Sequence, residues 1–222
     1  MKDRPILFSA PMIRAILDGR KTQTRRVLDA WCDEPPAFVE DGVVTAFDEN
    51  DRPYRWPRTN AVGDRLWVRE AHYLTDDGDY ERAVYAADAA DVRLHLSGVE
   101  QLRACHPNID WSKHARLRPS IHMPRWASRI TQIVTHVRVQ RLQDISEDDA
   151  IAEGVVRVRD ACHVIRGFDY DLSGLCHTSA ITPFQKLWMH INGDDAWEAN
   201  PWVAAYTFTP IFQNIDQIAE AT

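Results

Sequence analysis

The sequence predicts a mixed α+β chain dominated by strands, folded as a small β-barrel or strongly curved sheet with a few short flanking helices and three insertions. Three observations carry this. Alternating strand-like runs recur at residues 65–74, 130–142 and 202–208, and helical periodicity is confined to short segments. Polar excursions at about 29–62, 88–117 and 156–179 interrupt the pattern. All 222 residues, 45% of them hydrophobic, are read as a single domain spanning 1–222.

The first predicted helix follows Ser9, a candidate N-cap, with Pro11 in its first turn. Met12/Ile16 and Ile13/Leu17 share faces, and Gly19 is the stop. A strand is expected over Thr22 to Leu28, with Thr22, Thr24 and Arg26 on one face and Gln23, Arg25 and Val27 on the other. Polar groups on both faces are unusual for a purely structural strand. Residues 29–64, with Glu34-Pro35-Pro36 and Asp51-Arg52-Pro53, read as an irregular surface excursion. A Gly63-Asp64 turn then opens a strand over Arg65 to Leu74. Its row Leu66, Val68, Glu70, His72 puts Glu70 among apolar neighbours, where a carboxylate either pairs with a buried cation or lines a pocket.

A short strand is expected at 82–87, a helical turn from Pro124 through Trp126, and a long strand over Ile130 to Leu142. Ser146 caps a short helix, with Asp149 three residues on as in a capping box and Ile145 placed to staple against Ala150; Gly154 ends it. Glu153 therefore falls in the last turn, where the helix dipole disfavours negative charge by a few tenths to about 1 kcal/mol. Such a carboxyl is either a solvated side chain tolerating a weak penalty or a proton-transfer group. A helix over about Pro183 to Ile191, with Phe184, Leu187, Trp188 and Ile191 on one side, and a strand over Trp202 to Phe208 close the chain.

The net charge of −7 argues against non-specific coating of nucleic acid. Its distribution is uneven, however. Residues 1–28 hold seven Lys/Arg against two acids, and residues 111–143 hold seven with none. Side by side, these segments would form a basic face suited to a phosphate-bearing ligand; otherwise they are a solvated surface. Cys32, Cys105, Cys162 and Cys176 are irregularly spaced with no Cys-x-x-Cys pair, which indicates neither a disulfide framework nor a metal site. No cofactor is called for. No window approaches the roughly 18 consecutive apolar residues of a membrane span, and Met1 to Arg4 lack a secretion-signal pattern, so a cytoplasmic protein without membrane partners is expected.

The densest chemistry lies in Gly19-Arg-Lys-Thr-Gln-Thr-Arg-Arg26, an amine, two hydroxyls and guanidinium groups where a helix hands over to a strand. Such a cluster activates a nucleophile or holds an anion. Together with Gly63 to Val68, Pro119 to Trp126 and Leu142 to Gly154, it resembles the ASCH domain superfamily in its longer, phage- and prophage-encoded type. The resemblance covers most of the chain outside the three excursions, and it implies a PUA-like β-barrel of the kind that binds RNA or modified bases. In the related small hydrolases of N4-acetylcytidine a Lys, a Thr and a Glu serve catalysis, and these fall on Lys21, Thr24 and Glu153.

The activity implied by this resemblance is that of an amidohydrolase acting on an N4-acylated cytidine or similar modified pyrimidine. Thr24 attacks with Lys21 as neutral base and Glu153 protonates the departing amine, or Glu153 activates water directly. Arg26, Trp67, Arg69, Glu70 and Arg125 are the candidate substrate-binding residues, with Trp67, Trp126 and Phe8 as stacking platforms or core. The alternatives are a non-catalytic reader of RNA or modified nucleic acid, a ribonuclease, or a phage assembly protein.

Overall fold

The computed structural model describes residues 1–28, 38–47, 50, 52–76, 81–89, 117–159, 165–170 and 176–218. Strands dominate and helices are few. In chain order these are β1 (Asp3–Leu7), α1 (Ala10–Leu17), β2 (Gln23–Val27), β3 (Phe38–Glu40), β4 (Val43–Phe47), β5 (Pro53–Arg55), β6 (Arg65–Arg69), β7 (His72–Asp76), β8 (Glu81–Tyr85) and α2 (Ala86–Ala89). They continue with β9 (Thr131–Arg141), α3 (Glu147–Ala152), β10 (Val156–Arg159), β11 (Ile165–Asp169), α4 (Ile181–Asn192) and β12 (Trp202–Ile211). The principal sheet has the order β1-β6-β9-β12-β2. Antiparallel pairing of β12 with β2 sets Tyr206 opposite Thr24 and Ala205 opposite Arg25.

The chain forms two compact units, each from separate segments: Met1–Lys2, Ala15–Arg65 and Ile133–Pro210 in the first, Asp3–Arg14, Leu66–Gln132 and Ile211–Thr222 in the second. Val134, Val137, Val203, Ala205, Phe184 and Trp188 are buried in the first. The Phe184 ring meets Trp188 at 6.1 Å and Trp197 edge-on at 6.3 Å, so α4 is anchored by aromatic packing. In the second unit Ile6, Phe8, Ile13, Leu66, Val68 and Ile130 are buried.

Several expectations hold in detail. Helix α1 starts after Ser9, and Gly19 lies beyond its end with φ +72°, a left-handed conformation that suits glycine. The Ser146 hydroxyl accepts the Asp149 amide at 3.1 Å and caps α3. The row Leu66, Val68, Glu70, His72 is buried as its alternation implies.

Others need correction. The described part of 29–62 is no irregular loop, because β3, β4 and β5 form a three-stranded antiparallel sheet within it. Asp41 and Gly42, at φ +49° and +74°, make the two-residue turn between β3 and β4. An Asp-Gly pair flanked by strand formers is a strong hairpin signal, so the acids and prolines nearby masked a readable element. Likewise 156–179 contains the β10–β11 hairpin, with Val156 opposite Asp169. The expected strand over Arg65 to Leu74 is two: β6 ends at Arg69, and β7 starts at His72 to pair with β8. Ala86 and Ala87 begin α2 instead of extending the preceding strand. On α4, Ile191 is exposed, since the helix buries Pro183, Phe184 and Trp188 instead. Of the cysteines and their neighbouring histidines, only Cys176 and His177 lie within the described residues; that thiol is exposed. The greater part of the 88–117 excursion lies outside the described residues. Among the described residues no helix is long and apolar enough to cross a membrane.

Candidate functional site

The site is built in the first unit from the segment leading into β2 and the C-terminal end of α3. After α1, the amides of Arg20 and Lys21 both bond the Ala15 carbonyl, and the Thr22 amide bonds the Ala152 carbonyl at 2.8 Å. That last bond ties the Lys21 segment to the end of α3, where Glu153 is the C-cap. Gly154, at φ +113°, permits the contact: a Cβ there would stand 3.1 Å from the Ala15 Cβ and 3.4 Å from both the Lys21 Cβ and the Tyr170 hydroxyl.

Lys21 and Glu153, 132 residues apart in sequence, meet as a buried ion pair. The Lys21 Nζ donates to Glu153 Oε2 at 2.6 Å, to the Glu153 carbonyl at 3.0 Å and to the Gln23 carbonyl at 2.8 Å. The Lys21 side chain has no solvent exposure and that of Glu153 is 4% exposed. Three acceptors match the three N–H groups of an ammonium. Burial nevertheless pushes Lys21 below its ordinary value; the charge and hydrogen bond of Glu153 oppose the fall, and the nearby charges of Arg26 and Arg25 deepen it.

The other Glu153 oxygen belongs to Arg25, whose Nη1 donates to Oε1 at 3.0 Å and to Gln23 Oε1 at 2.6 Å. Arg25 Nη2 donates to Asp149 Oδ2 at 2.9 Å, while Asp149 Oδ1 accepts from Gln23 Nε2 at 3.1 Å and Arg138 Nη2 at 2.7 Å. Burial alone would raise the Asp149 carboxyl, but the bonds from Arg138 and Gln23 and the charges of Arg25 and Arg138 outweigh it and hold the group below its ordinary value. The Tyr170 hydroxyl donates to the Glu153 carbonyl at 3.5 Å, and its ionisation is pushed up by burial and then by the Glu153 charge.

Thr24 is buried on β2 opposite Tyr206, and no hydrogen bond joins its hydroxyl to Lys21 or Glu153. Arg26, two residues on, is exposed yet near enough to act on Glu153 by charge. The remaining candidates belong to the second unit. Glu70 is 2% exposed and takes a two-pronged bond from Arg129, Nε to Oε1 at 2.9 Å and Nη2 to Oε2 at 3.0 Å. The Arg129 guanidinium also lies 3.8 Å from the Tyr85 ring centroid. Arg69 stacks over the Trp67 ring at 5.3 Å and donates to the Ile121 carbonyl. Arg125 is bound by Asp3 at 2.6 Å and Asp216 at 2.7 Å, and the hydrogen bonds it donates to Asp216 and then to Asp3 push its pKa up. Phe8 is buried and Trp126 is 45% exposed.

The residues that sequence reasoning passed over are Gln23, Asp149, Arg138 and Tyr170, and Arg25 entered it only as a neighbouring charge. One signal was present, the polar residues on both faces of β2. Asp149 looked like a helix-capping acid, which hid its real partners. A shallow groove of about 310 Å3 opens on the β3–β4–β5 sheet, lined by residues such as Glu40, Thr45, Tyr54 and Arg55, none of them a candidate site residue. Among the described residues no cluster of His, Cys, Asp and Glu is arranged to hold a metal. Compared with protein families, with curated proteins and with solved structures, the chain matches none.

Proposed function

We propose that this chain is an ASCH-type, PUA-like domain that hydrolyses the amide of an N4-acylated cytidine or a similar modified pyrimidine. One observation carries the reading: the buried contact of Lys21 Nζ with Glu153 Oε2 at 2.6 Å, between two of the three residues that the sequence resemblance assigns to catalysis. A water-restricted amine and carboxylate in contact supply what amide hydrolysis requires, a proton shuttle and a cation for the developing oxyanion.

Glu153 takes a proton from water as the water oxygen bonds to the acyl carbon. Lys21 shifts its N–H from Glu153 Oε2 to the oxyanion, while Arg25 keeps hold of Oε1. Collapse of the tetrahedral intermediate breaks the bond from the acyl carbon to N4. Glu153 then gives its proton to N4, releasing the amine and the carboxylic acid. Thr24, with no hydrogen bond to Lys21, orients substrate in this route and is not the nucleophile.

The test is acetate release from N4-acetylcytidine by the purified chain. Lys21→Ala and Glu153→Gln, each verified as folded by circular dichroism, are expected to lower turnover by about 100- to 10,000-fold. Full turnover by both would overturn the assignment. A second reading, a non-catalytic reader of RNA, is favoured by the resting state, in which both Glu153 oxygens are engaged by cations. No turnover on any acylated nucleoside, with RNA binding that weakens steeply with salt, would select it.

A further inference from the structure

The Lys21–Glu153 pair is one end of a larger buried construction. Helix α3 and its C-cap carry two carboxylates four residues apart, Asp149 and Glu153, a spacing at which like charges on a helix repel. The Arg25 fork lies across both, one Nη on each, and its side chain has no solvent exposure. Lysine cannot reproduce this, because an ammonium is a point donor and a guanidinium a planar fork. Asp149 in turn directs its carboxylate to Arg25, Gln23 and Arg138. The Phe184 ring, 5.8 Å from the Arg25 Cζ, backs the guanidinium.

We propose that Arg25 and Asp149 are positioning residues for the Lys21–Glu153 pair: Asp149 fixes the guanidinium fork, and the fork fixes the Glu153 carboxylate so that Oε2 is the oxygen offered to Lys21. The consequence for turnover rests on the amidohydrolase reading; the consequence for the pair rests on geometry alone. Among the described residues, charges that bear on Lys21 come from Glu153 at the end of α3 and from Arg25 and Arg26 of β2, and Tyr170 and Asp149 act on it through Glu153 and Arg25.

The experiment compares the full chain with Asp149→Asn and Arg25→Lys, using thermal melting to establish folding and 13C NMR to titrate the Lys21 side chain. Asp149→Asn removes one of the two carboxylates that compensate the fork, so Lys21 titrates at lower pH than in the parent chain. Arg25→Lys keeps the charge but frees one Glu153 oxygen, so Glu153 carboxyl signals broaden or split. In turnover of N4-acetylcytidine both variants lose about 100-fold in kcat with KM within about threefold, as misplacement of a reacting group produces. Asp149→Glu restores part of it. Unchanged NMR signals in both variants, or a raised KM with kcat preserved, overturn the proposal. Loss of cooperative melting in both also overturns it, by making the dyad a strut. If the parent chain shows no turnover, the NMR comparison decides alone, so failure of the amidohydrolase reading is read separately from failure of this one.

Discussion

At the scale of single residues, the contrast between Lys21 and Thr24 bears on the proposed amidohydrolase route. Lys21 donates to three oxygens in full burial, whereas the Thr24 hydroxyl bonds neither member of the ion pair. A hydroxyl bonded to neither is not activated for attack by this pair. Thr24→Val, close to isosteric, is therefore expected to hold stability within about 1 kcal/mol, the net worth of one hydrogen bond. It should keep turnover within about tenfold of the parent chain, and steady-state kinetics on N4-acetylcytidine measure it. A loss as deep as that of Glu153→Gln would restore Thr24 as nucleophile. Glu70 follows the same rule that buried charge must be paired: its carboxylate is taken by Arg129, itself stacked on Tyr85.

At the scale of the element, α3 is six residues long and carries more polar chemistry than a helix of that size needs for itself. The Ser146 hydroxyl caps its N-terminus on the Asp149 amide while the Asp149 carboxylate holds Arg25, and its C-terminus delivers Glu153 to Lys21. Gly154 closes the helix in a conformation that other residues adopt only with strain, and with Ala15 and Lys21 packed against it. Ser146→Ala is expected to cost about 1 kcal/mol in urea denaturation without changing turnover per folded molecule. Gly154→Ala should cost more, through its positive φ and the crowding, and should also lower turnover by pressing on Lys21. Equal activity in the two variants would separate the helix end from the chemistry.

At the scale of the whole molecule, part of the uneven charge of the sequence is spent on internal pairs. Of the fourteen Lys and Arg in segments 1–28 and 111–143, Arg20, Lys21, Arg25, Arg125, Arg129 and Arg138 are each paired with an acid of the chain. His72 is held below its ordinary value of 6.5 by burial, with the charges of Arg118, Arg69 and His122 adding to it and a bond to the Glu70 carbonyl opposing. Below that pH the unfolded chain takes up a proton that the folded chain refuses, and stability falls. Asp64, fixed by the Ala61 and Lys2 amides and by Arg55, and Asp149 both lie below 3.8 when folded, because these partners outweigh the effect of burial. Their contribution is complete above that pH and lost as pH drops through their folded values. Urea midpoints should therefore decline from pH 7.5 to 5.5 and more steeply toward pH 3, and His72→Gln should remove the upper part of the decline. A flat profile over this range would contradict the pairing described.

Local signals were legible wherever a short-range rule governs the backbone. The Ser146 cap, the positive-φ glycines at 19 and 154, the buried Leu66–Val68–Glu70–His72 row and the strand-dominated class all derive from neighbours in sequence. The β3–β5 sheet was legible too, through Asp41-Gly42, but the surrounding acids and prolines outvoted it. The partners of the charged groups were not legible, because an ion pair reports a distance in space and leaves no period in the sequence. By itself the sequence determined which residues carry the amine, the guanidinium groups and the carboxylates, and the helix end at which Glu153 sits. Only the tertiary structure decided that Lys21 and Arg25 share Glu153 while Asp149 holds Arg25, since that choice is made by the burial that brings β2 against the end of α3 and takes these charges out of water together.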